Sequence, residues 1–276
     1  MERVAVLHKD GTPLMPCKPA KARKLLRDGR ATKHWTKEGV FYIRLTWNST
    51  KHVQDMCLGI DPGAKFDGYA VLTDQEIVTS GMAILPDIRK KVETRRMLRR
   101  NRRGRKNRRR KPRHQDTKKN GWISPTQRAK VEFRLTLINR YRRLYPITYF
   151  AVEDVRFNHY KKRWGKHFST VEIGKTMLYT ELERYGALYK FEGWQTKELR
   201  DRAGLKKSSS KDKLSFDSHA VDATVIAAEV IGYTGDFSVL SFWVFKRPNL
   251  RRRSLHLQTP QKGGVRRIHG GTWAKL

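Results

Sequence analysis

The sequence has few cysteines and few acidic residues, and it has no long apolar run. Cys17 and Cys57 are its two cysteines, and neither belongs to a Cys-x-x-Cys pair. A zinc ribbon and a disulfide framework are therefore not expected, and both residues are interpreted as small core side chains. No signal peptide and no apolar span of membrane-crossing length is visible. These absences predict a cytoplasmic protein.

Acidic residues are outnumbered more than twofold by basic ones. Lys and Arg total 61, Asp and Glu total 26, and the formal net charge is +35. Such an excess destabilises a compact fold unless an anionic partner neutralises it. RNA or DNA is the expected partner, bound largely through phosphate contacts. A membrane surface is disfavoured, because no basic amphipathic helix with a strong apolar face stands out.

The basic residues are concentrated in the middle of the chain. Residues 89–113 contain 16 Arg or Lys among 25 positions. If helical throughout, this run would span about 38 Å. An ordinary alternative is a solvated, unstructured charge run. Because the run lies between two parts of an apparent catalytic fold, we expect it to support a polyanion near the active site and to order on binding RNA.

Periodicity and turn signals predict a mixed α/β chain of 276 residues, with a turn at Asp10-Gly11 in a small α+β module at its N-terminus. Strands are predicted at 3–8, 40–47, 56–61, 68–73, 76–84, 147–153, 187–193 and 237–245. Helices are predicted at 19–28, 89–113, 126–145, 171–185 and 217–231. The last helix is almost entirely apolar and is therefore expected to be buried.

Three short motifs carry candidate chemistry. Asp61 ends an apolar strand, Glu153 ends another, and His219 and Asp222 lie three residues apart, on one face of the predicted last helix. Converging carboxylates repel one another unless a cation lies between them. Two Mg²⁺ ions, with Mn²⁺ as a substitute, could hold a scissile phosphate there, and His219 could orient or deprotonate the attacking water. Each motif alone also fits an ordinary role, as a turn, a strand end or a satisfied histidine.

Taken together, these motifs resemble the three split motifs of RuvC-type nucleases, which have the RNase H fold. The residues Pro13-Leu14-Met15-Pro16 match the signature of the N-terminal module of the transposon-encoded IscB and IsrB proteins. The stretch 95–100 looks like their arginine-rich bridge helix, and 263–272 looks like their basic C-terminal segment. IscB carries an HNH domain between the last two RuvC segments. Here 65 residues separate Glu153 from His219 and contain no His-Asn-His arrangement, so the chain is closer to IsrB.

The resemblance implies an RNA-guided DNA endonuclease with one active centre, a nickase for the displaced non-target strand. It implies Asp61, Glu153, His219 and Asp222 as catalytic and metal-binding residues. It also implies a noncoding guide RNA and target DNA as partners, in a monomeric ribonucleoprotein of the prokaryotic cytoplasm or nucleoid. The expected nucleic-acid contacts are Arg95, Arg96, Arg99, Arg100, Arg102, Arg103, Arg105, Arg108, Arg109, Arg110, Lys206, Lys207, Arg266 and Arg267.

The predicted organisation is a split RNase H-like (RuvC) domain with three additions. Its segments are an N-terminal module (1–52), RuvC segment I (53–86), an arginine-rich bridge helix (87–114), RuvC segment II (115–204), RuvC segment III (205–232) and a basic C-terminal segment (233–276). Two other functions remain open. One is a guide-free nuclease for branched DNA, and the other is a catalytically silent RNA-binding scaffold. For Lys206 and Lys207, a solvated loop is an equal alternative to phosphate contact.

Overall fold

The computed structural model describes residues 3–86, 89–104, 121–157, 169–210, 212–237 and 241–246. Its first sheet has four strands in the order β2-β1-β4-β3, where β1 and β4 are parallel and the outer pairs are antiparallel. These strands are β1 (Val4–Leu7), β2 (Pro13–Cys17), β3 (Ala31–Trp35) and β4 (Phe41–Leu45). Helix α1 (Pro19–Arg27) connects β2 to β3 and ends before Gly29, whose φ of 68° suits glycine.

This small sheet confirms the α+β character predicted for the N-terminus. Phe41, Ile43 and Leu45 alternate along β4 and pack with Trp47 in one apolar cluster, as their spacing predicts. Strand β3 is absent from the prediction. Its sequence, ATKHW, has only one buried position, so it lacks a clear apolar alternation.

A six-stranded sheet forms the main body, in the order β10-β7-β6-β5-β8-β9. Strand β6 runs antiparallel to both of its neighbours, whereas β8 is parallel to β5 and to β9, and β10 is parallel to β7. The strands are β5 (Cys57–Pro62), β6 (Phe66–Leu72), β7 (Ile77–Ile84), β8 (Tyr149–Glu153), β9 (Ala187–Phe191) and β10 (Phe242–Lys246). The predicted meander of three strands and the two strands predicted at 147–153 and 187–193 are confirmed, and the structure shows that the last two are parallel.

Helices cover both faces of this sheet. On one face, α3 (Pro125–Leu144) and α4 (Lys175–Tyr185) bury apolar side chains such as Leu137, Ile138 and Leu182 against the strands. On the other face lies α7 (Val221–Ile231), with Ala223, Ile226 and Ala227 in a second apolar cluster. The sheet is therefore buried on both sides, which is typical of layered α/β folds.

Two glycines let the backbone before and within α7 approach the sheet closely. A Cβ at Gly59 would lie 1.8 Å from the carbonyl oxygen of Ala223, and a Cβ at Gly68 would lie 1.9 Å from that of His219. Neither distance is compatible with a side chain. These glycines therefore set how near the start of α7 comes to the end of β5.

The predicted helix 217–231 is wrong as a continuous element. The structure has a short helix, α6 (Phe216–His219), then a turn at Ala220, and then α7. A further helix, α5 (Gly193–Arg202), is absent from the prediction. The predicted helix 171–185 is confirmed as α4, but it begins at Lys175 after a separate 3-10 turn at Thr170–Glu172.

The basic run begins as a helix, α2 (Arg89–Gly104), as predicted. Residues 105–113 of the predicted helix lie outside the described residues. Strand β10 falls within the predicted C-terminal segment, 233–276, and that part of the segment joins the main sheet through β7. Within the described ranges, no helix is long and apolar enough to cross a membrane.

Candidate metal centre

Two of the candidate carboxylates come from the ends of neighbouring parallel strands. Ile60 of β5 is paired with Val152 of β8, and Asp61 and Glu153 are the next residues of the two strands. Because parallel strands end at the same edge of a sheet, both side chains reach one place. The apolar residues that precede them are fully buried and hold the two strand ends in register.

The third carboxylate comes from the first turn of α7. Asp222 is only 3% exposed, and the close approach of Ala223 to Gly59 and of His219 to Gly68 brings it to the strand ends. One carboxylate oxygen from each of Asp61, Glu153 and Asp222 lies within 4.8 Å of the other two. The structure therefore brings together three of the four predicted ligands. An all-carboxylate donor set suits a hard divalent cation such as Mg²⁺ or Mn²⁺.

Burial and mutual repulsion raise the pKa of two of these acids, Asp61 and Glu153. Burial raises the pKa of Glu153 to about 9, and the Asp61 carboxylate beside it contributes to the rise. Burial also raises the pKa of Asp61, and the charge of Asp222 acts in the same direction. Negative charge is therefore costly here without a cation, which is the condition expected of a metal centre.

Two basic side chains lie against the carboxylates. The Nζ of Lys207 contacts Asp222 and lies 3.3 Å from Asp61 Oδ2, and Arg200 Nη1 donates to Asp222 Oδ1 over 2.6 Å. Burial lowers the pKa of Lys207, but the charges of Asp61 and Asp222 outweigh it and raise that pKa above its ordinary value. The sequence predicts a phosphate contact or a solvated loop for Lys207; the structure places its ammonium on the carboxylates, and the phosphate contact stays a prediction. Sequence reasoning missed Arg200, because no local pattern links α5 to Asp222.

His219 lies near this centre but outside the carboxylate group. Among the described residues, the group able to hold a metal consists of Asp61, Glu153 and Asp222, without His219. The residue is 8% exposed, and its ring packs on Phe66 with 4.6 Å between ring centroids. The turn at Ala220 also separates His219 from the helix that carries Asp222, so the argument from one helical face does not hold. A catalytic or metal-binding role for His219 stays a prediction.

A buried ion pair supports the loop after Asp61. Arg134 of α3 donates to both carboxylate oxygens of Asp67 over 2.9 Å and to the carbonyl of Gly63 over 2.7 Å. The backbone N–H of Gly63 donates in turn to Asp67. Sequence reasoning missed this pair, although Arg134 lies on the same helical face as Val131 and Ile138, and a charge on an apolar face signals a buried partner.

Asp154 follows Glu153 and points elsewhere, as its alternate strand position predicts. Its Oδ1 accepts from Lys175 Nζ and Tyr179 Oη, each over 2.8 Å. These bonds tie the end of β8 to α4 on the side away from the metal group.

The predicted nucleic-acid contacts are described only in part. Arg95, Arg96, Arg99 and Arg100 present exposed side chains on α2, and Lys206 is exposed in the loop before Lys207. Arg102 and Arg103 belong to α2, but their side chains are outside the described residues. The other predicted contacts, Arg105, Arg108, Arg109, Arg110, Arg266 and Arg267, lie outside the described residues altogether.

The sequence matches the model of one known protein family. The model of the RRXRR protein family matches residues 4–173, which include Asp61 and Glu153 and end before α5 and Asp222. Residues 99–103 of α2 read Arg-Arg-Asn-Arg-Arg, the pattern in the family's name. No curated protein matches the sequence.

Three solved structures are similar at low identity. RuvC of T. thermophilus in complex with a Holliday junction substrate is 15% identical with a TM-score of 0.36, over 63% of this chain and 90% of that one. Thermus thermophilus RuvC is 18% identical with a TM-score of 0.31, over 64% and 96%. The yeast mitochondrial Holliday junction resolvase Ydc2 is 14% identical with a TM-score of 0.34, over 64% and 78%. The described strands and helices confirm the predicted mixed α/β class, whereas the RuvC-type assignment stays a prediction.

Proposed function

The chain belongs to the RRXRR protein family, and from that premise we propose that it is a metal-dependent nuclease that nicks one strand of DNA under the direction of a guide RNA. The observation that carries the nuclease assignment is the meeting of Asp61, Glu153 and Asp222, with one oxygen from each within 4.8 Å of the others. The three carboxylates come from three separate elements, burial raises the pKa of Asp61 and of Glu153, and such a cluster suits a divalent cation.

The residues present fit Mg²⁺, with Mn²⁺ as a substitute, and Asp61, Glu153 and Asp222 would hold it. When bound, such ions activate water and stabilise the leaving oxygen of a phosphodiester. The chain itself prepares the site. Arg200 fixes one oxygen of Asp222, and the Arg134–Asp67 pair fixes the loop that follows Asp61.

The RNA-guided part of the proposal rests on α2 and on the family. Four exposed arginines on one helix, in a chain of net charge +35, suit the backbone of an RNA or an RNA–DNA duplex. The RRXRR family is associated with IscB-type nucleases. One carboxylate centre among the described residues favours cutting one strand rather than two.

The test begins with the RNA that co-purifies with the protein. That RNA is sequenced, its guide portion is changed to match a plasmid, and supercoiled plasmid is incubated with the complex and Mg²⁺. We expect open-circular product only with the matching guide, none with Asp61→Ala, and retained nicking with Asp154→Asn, an acidic neighbour bonded to Lys175 and Tyr179.

Three other outcomes would each contradict one part of the proposed function. Cleavage of a four-way junction without RNA would favour a guide-free nuclease for branched DNA. Tight RNA binding without cleavage in Mg²⁺ or Mn²⁺ would favour a silent scaffold. Linear plasmid as the first product would contradict the single-centre argument.

A further inference from the structure

Trp194 presents an exposed indole beside the candidate metal centre. It is the second residue of α5, and it is 63% exposed, more than either of the other exposed tryptophans that the structure describes, Trp35 and Trp122. An exposed indole offers a large, flat aromatic face on which a ligand can stack. No motif in the sequence singles Trp194 out.

The backbone places Trp194 at the rim of the carboxylate group. Strand β9 is parallel to β8 with Phe191 opposite Glu153, and the N–H of Asp154 donates to the carbonyl of Phe191 over 2.6 Å. Two residues further on, a Cβ at Gly193 would lie 3.9 Å from Glu153 Oε1. Trp194 is therefore adjacent in the chain to a residue that lies close to the Glu153 carboxylate.

The indole is held in one orientation before any ligand arrives. Its Nε1 donates to Glu192 Oε2 over 2.8 Å, and Glu192 is also the N-cap of α5 in a reciprocal capping box with Gln195. Thr196 is buried beneath this turn, and Arg200 ties the far end of the helix to Asp222. Because the ring is already fixed, stacking on it would cost little conformational entropy.

The charged residues near Trp194 indicate which kind of ligand would stack on its indole. Arg200 of α5 and Lys207 both contact Asp222, and the chain carries a net charge of +35, so a nucleic acid matches this surface better than an apolar protein surface does. A flat, exposed aromatic ring beside basic residues is how proteins hold unpaired bases, and such stacking tolerates any base.

We propose that Trp194 is a stacking platform for a nucleobase of the DNA strand that is cut at Asp61, Glu153 and Asp222. The inference rests on the proposed nuclease function and adds a residue that positions the strand. Stacking fixes the nucleotide next to the scissile phosphate and so limits which phosphate reaches the carboxylates.

Photocrosslinking tests this contact independently of cleavage. The full chain is mixed with a single-stranded DNA in which 5-iodouracil replaces thymine, with Ca²⁺ in place of Mg²⁺, and adducts are mapped by mass spectrometry after irradiation. We expect the adduct at Trp194 to exceed those at Trp35 and Trp122, which are 56% and 42% exposed. Equal labelling of the three, or less at Trp194, would overturn the proposal.

A kinetic experiment tests the positioning role. Trp194→Ala should slow single-turnover nicking about fivefold or more, the lower range for losing one base–aromatic stack, and should spread the cut over neighbouring phosphates, whereas Trp194→Phe should restore a single cut position. Removing the base beside the cut, with an abasic nucleotide, should make wild type and Trp194→Ala alike.

The two proposals fail in distinguishable ways. If nicking depends on Asp61 but is unchanged by Trp194→Ala, the platform is wrong and the nuclease stands. If no DNA is cut but the adduct still forms at Trp194, the nuclease is wrong while nucleobase binding at α5 stands. Trp194→Ala could be less stable and unfold at a lower urea concentration than wild type does. In that case Trp194→Leu replaces it, because leucine keeps an apolar side chain but cannot stack.

Discussion

Arg134 donates two hydrogen bonds to Asp67 across 67 residues of chain, and both side chains are almost completely buried. A third bond from the same guanidinium reaches the carbonyl of Gly63, two residues after Asp61. This pair joins α3 to the loop that follows Asp61, the first carboxylate of the candidate centre. Stability and activity should therefore depend on the same two residues.

Breaking this pair should destabilise the protein. Arg134→Met leaves Asp67 buried without its partner, and we expect a loss of about 3–5 kcal/mol in the free energy of unfolding, measured by urea denaturation. Arg128→Ala on the same helix removes an exposed pair with Glu132 and should cost under about 1 kcal/mol. Equal losses for the two variants would mean that the Asp67 carboxylate is not buried as the structure has it.

The two adjacent acids at the end of β8 should behave differently. Glu153→Gln removes a candidate metal ligand, and we expect single-turnover cleavage to fall about a thousandfold, equivalent to about 4 kcal/mol. Asp154→Asn is the matched control, because Asp154 bonds Lys175 and Tyr179 instead, and it should retain cleavage within about tenfold at saturating metal. A larger loss for Asp154→Asn would reverse the assignment of the two residues.

Lys207 should compete with a divalent cation for the same oxygens. Its ammonium contacts Asp61 and Asp222, so Lys207→Met removes a positive charge that metal binding must displace. We expect Mn²⁺ to bind several-fold more tightly to this variant by isothermal titration calorimetry, whereas exposed Lys206→Met should bind it as wild type does. Weaker binding by Lys207→Met would show instead that the ammonium helps to assemble the site.

The metal-free protein should lose stability as pH rises. The pKa of Glu153 is about 9 when folded and near its ordinary value of 4.5 when unfolded, so the folded state holds more protons between these values. The stabilisation is complete below about 4.5 and is lost as pH rises towards about 9. Urea denaturation in EDTA across this range should show the decline.

Two changes should flatten that pH dependence. Glu153→Gln removes the titrating group, and Mg²⁺ favours the deprotonated carboxylates and so stabilises the folded state increasingly at higher pH. An unchanged slope in Glu153→Gln would assign the effect to another group, such as Asp61, whose pKa is also raised.

The described arginines of α2 should account for a measurable share of RNA binding. Replacing four of them by Gln should lower the slope of log affinity against log salt by about 3 for single-stranded RNA. The four are Arg95, Arg96, Arg99 and Arg100. A chain with Arg184→Gln and Arg202→Gln, two exposed arginines that already pair with Glu181 and Glu198, should change the slope little. Equal changes in slope would mean that RNA binds the whole basic surface without preference for α2.

Much of this protein is determined by its sequence alone. Local patterns predict the strands that carry Asp61 and Glu153, the helix of the basic run and the apolar helix that carries Asp222. They can do so because apolar periodicity depends on neighbours in the chain. The meeting of Asp61, Glu153 and Asp222 is expected from the order of the three motifs and from the RuvC resemblance, and the structure brings one oxygen of each within 4.8 Å of the other two.

Only the tertiary structure decided the rest. The break at Ala220, the partners of Asp67 and Asp222, the place of Lys207 and the exposed ring of Trp194 depend on residues distant in the chain. Gly59 and Gly68 illustrate the physical reason: each is an ordinary strand residue in the sequence, and its lack of a side chain matters only because α6 and α7 lie against it. Local patterns determine which elements form, whereas close packing decides which charges meet.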